Sequence, residues 1–188
     1  YRHSYFDPAK YAQHGKAMAT VRAGNVIGGG DWSDNRLIPD CIRFIEAGKP
    51  IEIRNPIATR PWEHVLEPLS GYLKVGEMLM KDPVKYATSF NFGPHISANK
   101  TVLEVVRRLV AIYGKGEVVD ASDPNAPHEN TLLNLDVTKA YVMLGWHAKL
   151  SLEEMLEFTV DWYKEALKSD DMYDFCVKQI TAHASKEW

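Results

Sequence analysis

The fold is decided by two stretches, Arg22-Ala23-Gly24-Asn25-Val26-Ile27-Gly28-Gly29-Gly30-Asp31-Trp32 and, further along the chain, Arg60-Pro61-Trp62-Glu63-His64-Val65. The first is typical of a strand that ends in a glycine-rich loop, where the backbone can approach a ligand closely. The second places an arginine in a loop, and a guanidinium fork matches phosphate oxygens bidentately. Together they predict two loops that share one ligand site.

Helical and strand patterns alternate outward from these loops. Two capping boxes, Thr101 with Glu104 and Ser151 with Glu154, mark helix starts. In the first half of the chain we predict the end of a helix at 1–11 that runs into a loop at 14–15, a short buried strand at 17–21, and a helix at 36–47 with Pro39 in its first turn. A strand at 51–53, a helix at 66–80 and a strand at 89–92 follow. In the second half we predict a helix from Thr101 to Gly114, a strand at 132–136 whose Asp136 caps a helix ending at Gly145, a helix from Ser151, and a loosely packed helix after Lys168. This alternation indicates an α/β layer architecture with mixed strand pairing.

Composition and charge exclude several classes of protein. The formal net charge of −3 provides no general field for nucleic acid, so an anionic ligand must be held by local Arg, Lys and N–H groups. The longest apolar runs, such as 102–113, are interrupted by charges and fall short of the roughly 20 residues that span a bilayer. The two cysteines, Cys41 and Cys176, fit neither a disulfide framework nor a metal site. We therefore expect a cytoplasmic protein that binds neither nucleic acid nor a membrane.

Asn25 is the first candidate for ligand contact. Its amide offers both a donor and an acceptor to a phosphate or a sugar hydroxyl. The same position also fits a tight turn in which Asn25 bonds only to the backbone. The run from Gly28 to Gly30 lacks the spacing of a dinucleotide fingerprint, and no helix opens directly after it.

Arg60 and Arg54 are the candidates for holding phosphate. Alternatively, both are surface arginines paired with nearby carboxylates, which are Glu52, Glu63 and Glu67. The sequence leaves these two interpretations open.

Aromatic and histidine residues give weaker signals. Trp32 and Trp62 suit stacking on a base or sugar, although aromatic residues more often belong to the core. His64, His95 and His128 lack the spacing of metal ligands, so we predict no metal site. The segment 127–129 fits either ribose contacts or a plain loop.

The order of the motifs resembles the C-terminal half of extended short-chain dehydrogenase/reductases that act on nucleotide sugars. The resemblance covers about residues 5–167 and rests on Arg22-x-x-Asn25-Val26-x-Gly28, Leu37-Ile38-Pro39, Arg60-x-x-x-His64-Val65, Asn91-Phe92-Gly93 and Leu144-Gly145-Trp146. The longer strings at 22–32, 60–72 and 127–129 resemble the subgroup of 4,6-dehydratases that act on CDP-glucose. Most relatives carry Asp near Pro61 and Pro68, which favours this subgroup over epimerases.

The resemblance implies a fold and a division of the chain. The fold would be the C-terminal part of a Rossmann-like enzyme with its smaller mixed α/β substrate-binding domain. Residues 1–35 would end the dinucleotide-binding domain and begin the substrate site. Residues 36–168 would form most of the nucleotide-sugar region with returning Rossmann elements, and 169–188 a polar tail.

The resemblance also implies roles for individual residues. The backbone at Ala23 and Gly24 would lie near the nicotinamide of NAD. Six residues would contact the substrate, CDP-glucose: Asn25, Arg36, Leu37, Pro39, Arg60 and His128. Arg54 is added as a substrate contact from its chemistry and its place near Arg60. Asn125 replaces an Arg of many relatives, so no role transfers there.

The catalytic groups are not found in this sequence, because no Tyr is followed four residues later by Lys. By resemblance they would lie upstream of Tyr1, as would the elements that form a homo-oligomer. We therefore expect the 188-residue chain alone to be inactive and marginally stable or aggregating. The alternatives are a non-catalytic nucleotide-sugar binding fragment, and a dehydratase or epimerase for another nucleotide sugar.

Overall fold

Helices and short strands alternate through residues 1–95, 99–123 and 133–186, which the computed structural model describes. The strands are β1 (Thr20–Arg22), β2 (Asn25–Ile27), β3 (Ile51–Ile53), β4 (Thr59–His64), β5 (Ser89–Asn91), β6 (Asn99–Thr101) and β7 (Val118–Asp120). The helices are α1 (Arg2–Tyr5), α2 (Tyr11–His14), α3 (Leu37–Glu46), α4 (Leu66–Lys81), α5 (Val102–Tyr113), α6 (Thr138–Leu144), α7 (Leu152–Ala166) and α8 (Tyr173–Ser185). The predicted α/β architecture is confirmed.

The strands form small sheets in which most pairs are parallel. β1 pairs with β5, β3 pairs with β7, and β4 lies between parallel β2 and antiparallel β6. The register of β2 against β4 places Asn25 opposite Trp62. The two stretches that decide the fold therefore contain neighbouring strands. The loop predicted around Arg60 was wrong, because Arg60 lies in β4 and pairs there with Lys100 of β6.

Two apolar cores hold these layers together. The larger one packs α3, α5 and α7 against β2, β3 and β4, and its fully buried members include Ile42, Leu109, Leu156, Val160 and Tyr163. The smaller one lies between α4, α6 and β5, and Trp146 at its centre donates its indole N–H to the Ser70 hydroxyl at 2.9 Å. The arrangement buries Leu152, Met155, Leu156, Thr159, Val160 and Tyr163 of α7.

The predicted helix boundaries agree with the structure where capping signals were present. Both capping boxes form, with the Thr101 and Ser151 hydroxyls each accepting the N–H of the glutamate three residues on. Gly114 and Gly145 end their helices with φ of 91° and 64°. Left-handed backbone of this kind favours glycine.

Two predicted elements near the N-terminus were wrong in detail. The strand predicted at 17–21 lies at Thr20–Arg22 and is exposed, because the described residues pair it with β5 alone. The helix predicted through 1–11 is broken at Asp7-Pro8, where Pro8 has no N–H and disfavours helical backbone before it. Asp7 instead accepts the N–H of Ala9 at 3.1 Å.

The strand predicted at 132–136 was also wrong over its described part, 133–136, and Leu132 lies outside the described residues. Side-chain amides take up this backbone: Asn91 donates to the carbonyl oxygen of Asp136 at 3.0 Å. Asp136 accepts the N–H of Thr138, the first residue of α6, at 2.9 Å. The N-cap itself is Val137, which makes no side-chain capping bond, so the predicted cap at Asp136 was wrong by one position.

The polar segment after Lys168 forms the predicted helix, α8. His183 is its buried residue, and the remaining side chains are partly or fully exposed. In the part of the chain that the structure describes, none of the helices is both long and apolar enough to cross a membrane.

Candidate functional site

A cavity of about 470 Å³ opens where β2 meets the start of α3. It brings together five residues that were predicted for the site, and its wall consists of Gly24, Asn25, Val26, Ile27, Gly28, Asp31, Asn35, Arg36, Leu37, Ile38, Pro39 and Trp62. The predicted residues in this wall are Gly24, Asn25, Arg36, Leu37 and Pro39. The wall combines amide, guanidinium and apolar groups, which suits a polar ligand with a flat or apolar part.

A second cavity of about 450 Å³ lies beside the first. Asn35 and Leu37 belong to both walls, so the cavities are neighbours along one cleft. Arg54 and Arg60 line the second cavity, together with Asn55, Glu52 and Asp40. The two predicted phosphate-binding arginines therefore lie on the same side of the cleft, beyond Leu37.

Asn35 has an unusual backbone at the boundary between the cavities. Its φ of 61° makes it the one left-handed residue other than glycine among the described residues. Asn tolerates this conformation better than most residues. The turn leads directly into α3, whose N-cap Arg36 makes no side-chain capping bond. The first-turn N–H groups of α3 lack helical partners and give the cavity wall a positive character.

The arginines of the cleft are held differently. Arg36 lies 3.6 Å from Asp31 in an exposed ion pair. The pKa of Asp31 is lowered: partial burial opposes ionisation, but the Ser33 hydrogen bonds and the charges of Arg36 and Arg43 outweigh it. Arg60 is half-buried and donates to the carbonyl oxygen of Thr59 at 2.9 Å.

Two of the carboxylates proposed as surface partners of these arginines are unsuited to that role. Glu63 in β4 and Glu67 in α4 are only 2% and 1% exposed. Glu67 accepts the N–H groups of Lys149 and Leu150 at 2.9 and 2.7 Å. Of the three carboxylates, Glu52 is the exposed one, so it is the one that suits the alternative of surface pairing.

Glu63 and its neighbours form a buried polar cluster that sequence reasoning missed. Glu63 accepts the N–H of Gly24 at 2.5 Å, and His183 of α8 lies 3.3 Å from Glu67. Burial raises the pKa of Glu63 to about 8, opposed by the Gly24 hydrogen bond and supported by the charge of Glu67. The sequence offered only a weak signal for this burial, namely a glutamate between Trp62 and His64 in a strand that is covered on both faces of its sheet.

His64 belongs to the same cluster. Its Nδ1 accepts the N–H of Leu66 at 3.3 Å, so the ring proton lies on Nε2. Burial lowers the pKa of His64 to about 4; His183 acts in the same direction and Glu67 opposes it. A neutral imidazole in the core, packed edge-on against Phe158, is structural.

The two tryptophans differ in their surroundings. Trp62 is buried and donates its indole N–H to the carbonyl oxygen of Lys100 at 3.1 Å. Trp32 is 48% exposed and meets Tyr163 edge-on. Trp62 thus belongs to the core while also contributing to the first cavity.

Some predicted site residues are not part of the cleft as described. Ala23 is half-buried beside Gly24 but does not line either cavity. His128 and Asn125 lie outside the described residues. Within the described ranges, no group of three His, Cys, Asp or Glu side chains is arranged to hold a metal ion.

Comparison with known sequences identifies relatives of about twice this length. The chain is 44% identical over 185 residues to CDP-glucose 4,6-dehydratase of Salmonella typhimurium, which covers 98% of this chain and 52% of that protein. It is 26% identical over 180 residues to UDP-glucose 4-epimerase 3 of Oryza sativa subsp. japonica, covering 86% of this chain and 47% of that protein. The chain therefore spans about half the length of these relatives. No family model matches the sequence.

Solved structures show the same fold. The dTDP-glucose 4,6-dehydratase of Bacillus anthracis in complex with NAD has a TM-score of 0.65 at 20% identity, covering 86% of this chain and 49% of that one. The UDP-glucuronic acid 4-epimerase of Bacillus cereus, in complex with UDP-glucuronic acid and NAD, has a TM-score of 0.68 at 19% identity. That match covers 84% of this chain and 48% of the epimerase.

Proposed function

We propose that this chain, which sequence and fold relate to the extended short-chain dehydrogenase/reductases, is the C-terminal portion of an NAD-dependent CDP-glucose 4,6-dehydratase. The observation that carries the proposal is the 44% identity over 98% of the chain to a CDP-glucose 4,6-dehydratase. In the proposed reaction the sugar is oxidised at C4, loses water across C5 and C6, and regains the hydride at C6. The product is CDP-4-keto-6-deoxyglucose.

The cleft supports a nucleotide sugar as the ligand. A nucleotide sugar is an extended dianion, and the two adjoining cavities present positive groups on both sides of Leu37. We assign Arg60 and Arg54 to the diphosphate, and Arg36, Leu37 and Pro39 to the wall near the base. Asn25 would contact the diphosphate or the sugar, and His128 the ribose or base.

NAD would supply the hydride acceptor and donor of this reaction. The Gly24 backbone lines the first cavity, where it would meet the cofactor. Its N–H is already bonded to Glu63, so Gly24 would offer its carbonyl group to a nicotinamide. We assign the catalytic Tyr and Lys to the half of the relatives that this chain does not span.

Three further expectations belong to this proposal. The complete protein would be a cytoplasmic homo-oligomer, assembled through elements outside this sequence. The domain division at residues 35 and 168 stays a prediction. The 188-residue chain alone would convert no CDP-glucose.

The second candidate is a dehydratase or epimerase for another nucleotide sugar. It is favoured by the 26% identity to a UDP-glucose 4-epimerase. The two candidates differ in the base of the nucleotide sugar that they use, so the preference of the protein among nucleotide sugars in a binding measurement distinguishes them. A non-catalytic binding fragment would bind the nucleotide sugar but would convert none of CDP-glucose, UDP-glucose and dTDP-glucose.

The proposal is tested by competition on the complete protein. Calorimetric titration with CDP-glucose, UDP-glucose and dTDP-glucose should rank CDP-glucose first by at least about tenfold, which is the effect of roughly 1.4 kcal/mol. A protein that prefers UDP-glucose would instead support the second candidate.

A further inference from the structure

Glu63 is a buried acid that supports the wall of the first cavity from behind. It lies in β4, the central strand of its sheet, with its side chain 2% exposed. Its Oε1 accepts the N–H of Gly24 at 2.5 Å. Its Oε2 is buried without a hydrogen bond to any described residue. The side chain lines neither cavity.

The segment that Glu63 holds is closely fitted to β4. A Cβ at Gly24 would overlap the carbonyl oxygen of Pro61 and lie 3.3 Å from Glu63 Oε1. Asn25 follows directly and lines the first cavity. The bond between Glu63 and Gly24 therefore adds to the pairing of β2 with β4 in fixing the point at which Asn25 enters the cavity.

Among the residues that the structure describes, the groups around Glu63 supply no positive charge to pair with it. Glu67 and Tyr72 of α4 face it, and its charge contributes to a raised pKa of Tyr72 after burial. His183 of α8 lies against Glu67, and His64 is neutral. Arg22 at the end of β1 donates instead to Asn91 at 3.1 Å. A buried carboxylate without a cation keeps its proton, because desolvation penalises the charged form.

We propose that Glu63 is a positioning residue of the substrate site, and that its neutral form holds the Gly24–Asn25 segment against β4 so that Asn25 faces the ligand. The inference rests on the proposed function, because it concerns the same cleft. Ionisation of Glu63 would place a negative charge beside Glu67 in a water-excluded layer. An ionised Glu63 would accept the Gly24 N–H more strongly, but the larger cost is that of a charge left unhydrated by burial. The layer around Glu63 would therefore open to water, the Gly24–Asn25 segment would shift, and ligand binding would weaken.

The test uses the complete protein and CDP-glucose, titrated by calorimetry between pH 6.5 and 9.5. Above pH 8 the wild type should lose up to about tenfold in affinity for each pH unit, because Glu63 must then take up one proton before the ligand binds. E63Q keeps a neutral acceptor and should bind with an affinity that does not change across this range. E63L removes the acceptor and should bind about tenfold more weakly at every pH. The control is E157Q, an exposed glutamate on α7, which should follow the wild type.

A second readout separates this inference from the proposed function. Hydrogen exchange at the Gly24 amide should accelerate at least about tenfold in E63L and stay slow in E63Q at pH 7. If the wild type binds CDP-glucose and E63Q shows the same loss above pH 8, the Glu63 inference is wrong and the function stands. If the wild type binds no CDP-glucose, the proposed function is wrong. In that case, unchanged exchange in E63L would overturn the positioning role independently.

Discussion

Tyr163 donates its hydroxyl hydrogen to the main-chain oxygen of Asp31 at 2.5 Å, across 132 positions of sequence. Tyr163 is fully buried in α7, and Asp31 lines the first cavity. The neighbouring Trp162 packs its indole against Gly29 of the same loop. The helix near the end of the chain therefore determines the shape of the glycine-rich loop near its start.

Removing the Tyr163 hydroxyl tests this connection. Y163F leaves the Asp31 oxygen without its donor, and a lost buried hydrogen bond costs about 1 kcal/mol. We expect a lower midpoint of thermal unfolding and CDP-glucose binding weakened by a few fold. Y173F is the matched control, because Tyr173 is 74% exposed and its hydroxyl should be dispensable. Equal stability of the two variants would contradict the connection.

Two glycines should respond to alanine with opposite signs. A Cβ at Gly29 would overlap the Trp162 ring, whereas one at Gly76 in α4 would meet no atom within 4 Å. We expect G29A to destabilise the complete protein by about 1–3 kcal/mol. G76A should stabilise it by about 0.5–1 kcal/mol, because alanine favours helix. Chemical denaturation measures both, and a neutral G29A would show that Trp162 does not constrain the loop.

Arg60 should account for much of the affinity for the diphosphate. R60A should weaken CDP-glucose binding on the order of 10–100-fold, since charged hydrogen bonds to phosphate are strong. R60K keeps the charge but not the guanidinium fork, so it should fall between R60A and the wild type. Arg107, exposed on α5 away from both cavities, provides the control R107A. If R60A and R107A bind alike, Arg60 does not contact the ligand.

Glu63 should make stability depend on pH. Its folded-state pKa of about 8 is above the ordinary value of 4.5, so the folded state binds the proton more tightly. The stability linked to that proton is fully present below pH 4.5 and is lost as the pH rises toward 8. The slope approaches about 1.4 kcal/mol per pH unit. E63Q should therefore gain stability over the wild type as the pH rises, measured by denaturation at pH 5, 6.5 and 8; a constant difference would show that Glu63 ionises normally.

Local signals in the sequence predicted the elements that have local causes. The capping boxes at Thr101 and Ser151 and the terminating glycines at 114 and 145 satisfy helix ends within a few residues, so their positions follow from nearby sequence. The strand predicted at 133–136 failed because distant amides, including that of Asn91, bond its backbone instead. Such long-range partners leave no local pattern.

The site was predictable in part, because the two stretches that decide the fold lie on neighbouring strands and their residues therefore come together. Asn25 and Arg36 share one cavity and Arg54 and Arg60 the next, as expected for a common ligand. The buried state of Glu63 was not predictable, because its burial depends on α4 covering β4. The sequence shows a charged residue near arginines, and only the fold shows that these groups lie on different sides of the sheet.

The central claim is that this chain forms the substrate site of a CDP-glucose 4,6-dehydratase, and the most direct test is the mass of the product. The complete protein and NAD would be incubated with CDP-glucose, with UDP-glucose and with dTDP-glucose in three separate reactions. The nucleotide sugar of each reaction would then be analysed by mass spectrometry. We predict that CDP-glucose loses one water, that R60A slows this conversion strongly, and that the other two sugars react far less. The claim would be contradicted if the mass of CDP-glucose stayed unchanged while another sugar lost water, or while UDP-glucose was epimerised without a change of mass.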